Sequence, residues 1–194
     1  MGCEESNIYI DSNIETLLVS SCINCTIFVA AVSKICTIEK CENVNLCIAA
    51  NEVRIGNCID STVYSYNPTL SPIVYGDTRS LKLGPHNASY PSLPDHLKRA
   101  LIKFEVSLGE KEKHSEWFDE QVACFSKPIM MAQGDKKQKE DTKTQYSIMQ
   151  PVDFNRIVLP NFMQEAPNMN NSLLPRTTLE LCPREYLDMI NSRI

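Results

Sequence analysis

An arginine set among small and β-branched residues is the first candidate for chemistry. Arg54, in "NEVRIGNC" (51–58), is the only basic side chain between Lys40 and Arg79. A guanidinium is planar, permanently charged and rich in donors. Held on a rigid element, it can neutralise charge on a phosphoryl group being transferred in a partner's active site. The same outward arginine can equally serve to keep a sheet face soluble. Asn51 stands three residues earlier, at the preceding corner of the chain.

Nine cysteines are the second candidate, and seven of them fall within residues 3–58. Cys22-x-x-Cys25 has no second pair at a matching spacing, and His86, His96 and His114 lie far downstream. Four tetrahedral zinc ligands are therefore not expected to meet, and the spacing offers no Cys–His nucleophile pair. The expectation is no metal, no cofactor, and cysteines that act as small buried hydrophobes.

The elements that would position these residues come from an internal repeat. "CEESNIYI" (3–10), "CINCTIFV" (22–29), "CENVNLCI" (41–48) and "CIDSTVYS" (58–65) align, with first cysteines 19, 19 and 17 residues apart. Ile8, Ile27, Leu46 and Val63 hold the sixth place of each block. Before the later cysteines, Leu17, Cys36 and Val53 match, as do Val19, Ile38 and Ile55. Each unit thus predicts two short strands with period-two apolar alternation. So short a unit cannot bury its own apolar face and must stack on copies of itself, about 4.8 Å apart. The expected fold is all-β, a right-handed parallel β-helix of about five coils with short C-terminal helices.

Parity then places the side chains. Val53 and Ile55 point inward, so Arg54 points outward. Tyr9, Phe28, Cys47 and Tyr64 form an outer stripe. An apolar stripe of that size is expected either to meet a partner through Tyr9, Phe28 and Tyr64 or to be covered by residues 152–162.

The quoted repeats, from "CEESNIYI" to "CIAANEVRIGNC", resemble the C-CAP/cofactor C-like (TBCC) domain family. That resemblance implies a right-handed parallel β-helix, in agreement with the repeat. GTPase-activating members carry Gln-x-x-Arg in a strand leading to a corner cysteine, the arginine acting as the finger. The matching positions here are Asn51 and Arg54, so the arginine is present and the amide is one methylene shorter. "PIVYGDTRSLKLGPHNASYPSLPDHL" (72–97) and "VDFNRIVLPNF" (152–162) resemble a branch of the family linked to centrosome, spindle pole, basal body and Golgi positioning. The branch usually lacks the finger. The resemblance therefore implies first an interaction protein of the tubulin cytoskeleton in the cytoplasm, with tubulin or centrosomal proteins as partners. Its second implication is a GTPase activator for tubulin or an Arf-like small GTPase, working through Arg54 and Asn51. Family members carry coils before this point, which implies that the chain begins inside the domain.

Composition narrows the partners. The 194 residues carry a net charge of −5, so nucleic acid is not an expected partner. No apolar run reaches the ~20 residues of a membrane-spanning helix, and the N-terminus lacks a secretory pattern, so an intracellular, reduced setting is expected. "MGCEES" fits a myristoylation pattern, yet Cys3 and Ser6 are in register with the repeat. A membrane is a partner only if Gly2 is acylated, and Gly2 would then be tied to the first coil.

The expected organisation is a β-helix over 1–92, a helical extension over 93–133, a polar linker over 134–150 and a C-terminal segment, 151–194, packed back on the β-helix. Within the extension, Leu97, Leu101 and Phe104 are expected on one helix face after Pro94 and Asp95. "HSEWFDEQVACF" holds the sole tryptophan, Trp117, and "PREYLDMINSRI" reads as a final short helix.

Overall fold

The computed structural model describes residues 2–104, 123–131, 145–164 and 181–193. Trp117, His114 and residues 134–144 of the polar run lie outside them. The described strands are β1 (Asn7–Ser20), β2 (Thr26–Glu39), β3 (Asn45–Gly56), β4 (Thr62–Tyr66), β5 (Ile73–Tyr75), β6 (Leu81–Pro85), β7 (Ile129–Met131) and β8 (Tyr146–Ile148). They form one sheet in which every pairing is parallel.

The register is that of the repeat. Ile8, Ile27, Leu46, Val63, Leu83 and Ile148 align in one ladder. Val19, Ile38, Ile55, Val74 and Met130 align in another. At the thiol corner Glu4, Ile23, Glu42, Ile59 and Arg79 bridge in sequence, which makes a β-solenoid of about four turns. In β1–β3 the two half-strands of each unit run on as one bent strand. In β1 the bend is marked by register shifts between Ile10 and Asn13 and between Ile14 and Thr16. In the fourth turn the halves separate into β4 and β5.

Each turn is closed by left-handed residues around its cysteine. Glu5, Asn24, Asn43 and Asp60 have φ of 48°, 54°, 50° and 50°, and Ser21, Lys40 and Asn57 have φ of 56°, 55° and 52°. Left-handed backbone costs an ordinary L-residue roughly 1–2 kcal/mol, less for Asn and Asp, whose short side chains bond locally. Stacking offsets the cost, since Asn43 Nδ2 donates to Asn24 Oδ1 at 2.9 Å and Asn57 Oδ1 accepts from the Asp77 amide at 3.1 Å.

The interior cluster contains Ile27, Leu46, Ile48, Ile55, Val63 and Leu83, with Cys22, Cys25, Cys36, Cys41 and Cys58 among them. The eight described cysteines are free. Beyond the last rungs, Phe125, Met149, Phe154 and Tyr186 join the same core. Tyr186 sits on α3 (Arg184–Asn191), its hydroxyl donates to the Met149 carbonyl at 2.6 Å, and its ring meets Phe154 edge-on at 5.2 Å.

A second core lies outside the solenoid. After β6 the chain climbs back along the outer stripe. Tyr90 meets Phe28 edge-on at 5.4 Å, and the His96 carbonyl accepts from Asn13 Nδ2 at 2.7 Å, on the first coil. Helix α1 (Leu93–Arg99) contributes Leu93 and Leu97, and Ala88, Ile102, Leu159, Met163 and Leu181 complete the cover. Met163 belongs to α2 (Asn161–Gln164).

Several expectations change here. The stripe is covered chiefly by residues 88–102, and segment 152–162 adds Leu159, Phe154 against Tyr64 at 6.3 Å, and the Val158 carbonyl to Tyr9 Oη at 3.4 Å. Segments assigned to the helical extension and the linker supply strands, because β7 and β8 lengthen the two ladders. Leu101 does not continue the helix, since it has φ 56° and is 83% exposed. The Ile102 amide reaches the Leu97 carbonyl at 2.9 Å and the Leu101 amide the Lys98 carbonyl at 3.2 Å, which is a Schellman stop with Leu101 at the position that favours glycine. Both Leu97 and Ile102 are buried, so tertiary packing chose the stop over the helical period.

Two outcomes follow for stability. Leu101→Gly should stabilise by about 0.5–1 kcal/mol, seen as a Tm rise of about 2 °C. Burial pushes His86 down to about 4, with an Ala88 backbone group opposing, and burial also lowers His96 against the pull of Asp11. The unfolded chain therefore takes up protons first, so stability should fall as the pH drops from about 6.5 towards about 4, by about 3 kcal/mol for His86 alone. Denaturant midpoints across that range check this, and His86→Phe should flatten the slope.

Candidate functional site: the outward face around Arg54

The second face of the solenoid has no covering layer of its own among the described residues. Leu18, Thr37, Arg54, Ile73 and Ile129 form one outward row across it. The next outward row is Ser20, Glu39, Gly56, Tyr75 and Met131. Leu18 is 63% exposed, Ile129 48% and Met131 56%. Arg54 lies between buried Val53 and Ile55, as parity requires, so its backbone is fixed by the core and its side chain meets solvent.

The guanidinium is not idle. Arg54 Nε donates to Glu52 Oε1 at 2.5 Å, and the two side chains are 46% and 18% exposed. Glu52 is two residues back on the same face, a pairing that the sequence displays once the strand is known. An ion pair this open contributes little to stability, about 0–1 kcal/mol. It orients the arginine on the sheet face. Beside it, the Tyr75 ring lies directly over Gly56, where an added Cβ would come within 2.2 Å of the ring. A larger residue there would have to displace that ring.

Asn51 lies within β3 at a register shift, between the Val32–Ala50 and Ile35–Glu52 pairs, and its Nδ2 donates to the Ser33 carbonyl at 2.8 Å. Ser33 Oγ donates to the Ile14 carbonyl, and Thr69 Oγ1 to the Asn51 carbonyl. These bonds form a column that ties each coil to its neighbour, and Asn51 is one rung of it. The Asn51 amide donates to the scaffold, while the Arg54 guanidinium meets Glu52.

The aromatic stripe differs along its length. Phe28 is fully buried and offers nothing to a partner, while Tyr9 and Tyr64 are half-buried beneath the returning chain. Two of the thiols are held protonated. Burial pushes Cys36 and Cys47 up to about 12, so both are protonated and inert near neutral pH. Cys25 Sγ is spent on the Cys3 and Ile23 carbonyls. No group of three or more His, Cys, Asp or Glu residues is arranged to hold a metal among the described residues. No described helix is long and apolar enough to cross a membrane. Gly2 packs against the Ser21 carbonyl of the next coil.

Comparison with known proteins places this architecture. The family model for tubulin binding cofactor C matches residues 1–112. TBCC domain-containing protein 1 of Danio rerio is 34% identical over 98 residues, covering 50% of this chain and 17% of the relative. The Xenopus tropicalis protein of that name is 28% identical over 95 residues, covering 49% and 17%. The Homo sapiens protein is 20% identical over 162 residues, covering 84% and 25%. The chain therefore spans a quarter or less of the length of these curated relatives. Among solved structures, tubulin binding cofactor C from Leishmania major has a TM-score of 0.48 at 14% identity, covering 76% of this chain and 85% of that one. With the family model spanning more than half of its residues, the chain belongs to the tubulin binding cofactor C family.

Proposed function

We propose that this chain is a protein-interaction module of the tubulin cytoskeleton, and that it docks through the outward face carrying Arg54. The observation that carries the proposal is the contrast between its two faces. One is sealed by residues 88–102 and 159–163, while the other leaves Leu18, Ile129 and Met131 in water around one guanidinium. Exposed aliphatic side chains around a rigid arginine have the composition of an interface centre. Family membership supports tubulin or a tubulin-associated protein as the partner. The resemblance of residues 72–97 and 152–162 to the organelle-positioning branch supports a place at the centrosome, spindle pole or basal body, with an effect on Golgi placement.

The test is binding of αβ-tubulin by the full chain, with Arg54→Glu and Leu18→Asp as variants. Either change should weaken binding at least tenfold while leaving the Tm within about 2 °C, since both side chains are outward. Unchanged affinity in both variants would remove this face from the interaction.

A second reading is supported by one feature, the fixed, solvent-facing guanidinium of Arg54. In that reading the chain accelerates GTP hydrolysis by tubulin or an Arf-like GTPase, with the arginine leaving Glu52 for the transferring phosphoryl group. Asn51, bonded to Ser33, would shape the strand and not the chemistry. Single-turnover hydrolysis separates the readings. An activator should lose on the order of 10³-fold in Arg54→Ala. Equal rates with wild type, with Arg54→Ala and with no added chain leave docking alone.

A further inference from the structure

The cover over the aromatic stripe turns sharply at Leu101, which has φ 56° and is 83% exposed. Left-handed backbone costs a leucine stability that glycine would keep, and an aliphatic side chain in water gains nothing within the fold. A residue so placed is held there by its surroundings. Leu97, Ala100 and Ile102 are buried, and the His96 carbonyl is bonded to Asn13 on the first coil. The Lys103 carbonyl accepts from the Tyr66 hydroxyl, on the fourth coil, at 2.8 Å. Leu101 therefore stands on the flank of the solenoid, between anchors on the first and fourth coils, and its exposure does not come from an end of the stack. Around it the charge is one-sided. Lys98, Arg99 and Lys103 are all exposed, and the ion pairs of the described residues involve none of them. Asp95 is the only carboxylate of residues 93–104, in a chain whose net charge is −5. Phe162, 63% exposed beside buried Met163, adds a second apolar side chain to the outside of the same cover.

We propose that this flank docks on an anionic lipid bilayer, with Leu101 entering the headgroup region and Lys98, Arg99 and Lys103 meeting the lipid phosphates and carboxylates. The shape of the feature selects a bilayer over a protein partner. A protein interface buries its apolar centre within a broad, well-packed patch, whereas Leu101 protrudes singly from a turn. A bilayer accepts such a tip at the boundary of headgroup and acyl chain. Long basic side chains lay their stems along that boundary and keep their charges among the headgroups. The left-handed turn serves this geometry. By stopping the helix it sets one aliphatic residue at the apex, with cations two and three positions before it and two after. The contact is independent of Gly2, which the sequence alone made the condition for a membrane partner, and it does not use the face that carries Arg54.

Co-sedimentation of the full chain with vesicles tests the proposal, using phosphatidylcholine alone and phosphatidylcholine with one-third phosphatidylserine. The wild type should bind the mixed vesicles about tenfold more strongly than the neutral ones, and less as salt rises. Leu101→Gly should lower partitioning about fivefold while raising the Tm, so that lost binding is not lost folding. Lys98→Glu combined with Arg99→Glu should lower it about tenfold. Ile59→Thr, at an exposed isoleucine of the thiol corner, should bind as wild type. A wild type that ignores the mixed vesicles overturns the proposal, as does Leu101→Gly partitioning like wild type or Ile59→Thr losing as much as Leu101→Gly. A chain with both charge reversals that still binds vesicles but loses αβ-tubulin gives the patch to a protein, and the bilayer contact is then refuted.

Discussion

No coil of this chain can bury its own apolar side chains, and every other feature follows from that constraint. Leu46 is fully buried because Ile27 lies before it and Val63 after it in the same ladder, not because β3 folds upon itself. The stacking sets the register so firmly that backbone conformations unfavourable in isolation are held at every turn. Lys40 and Glu5 sit left-handed where glycine would be the easy choice. Their conformations persist because the corner bridges, from Glu4 to Arg79, repeat the same geometry along the stack.

The same rigidity makes the two outer faces matter. One carries small residues, Ala30, Ala31 and Ala49, all buried, and these let the returning chain lie close to the sheet. Phe28 and Tyr90 then close the contact, and α1 reaches the first coil. The other face carries longer side chains and no such cover among the described residues. The chain uses the aromatic stripe for itself, and the row that includes Arg54 is left facing solvent. The guanidinium stands on a strand whose flanking residues are core, so a partner would meet a charge already in position.

Asymmetry also governs the ends. The described C-terminal elements contribute aromatic rings to the interior, with the Tyr186 hydroxyl satisfied by a carbonyl and its ring against Phe154. Phe125 and Met149 complete the plug. Among the described residues β1 pairs on one side, with β2.

Much of this was legible in the residues themselves. A spacing of 19, 19 and 17 between matching cysteines, with apolar residues at alternate places, is a local signal of a stacked coil. Both the ladders and the outward aim of Arg54 follow from it, because parity in a strand does not depend on distant contacts. The final helix and the burial of the thiols were readable for the same reason. What sequence could not supply was anything decided by distant packing. The stop at Leu101, the strands β7 and β8, and the cover over Phe28 depend on surfaces that exist only once the coils have stacked. Asn51 is the clearest instance. Its side-chain amide donates to a carbonyl one coil away, on Ser33, and only the tertiary structure brings that carbonyl within reach.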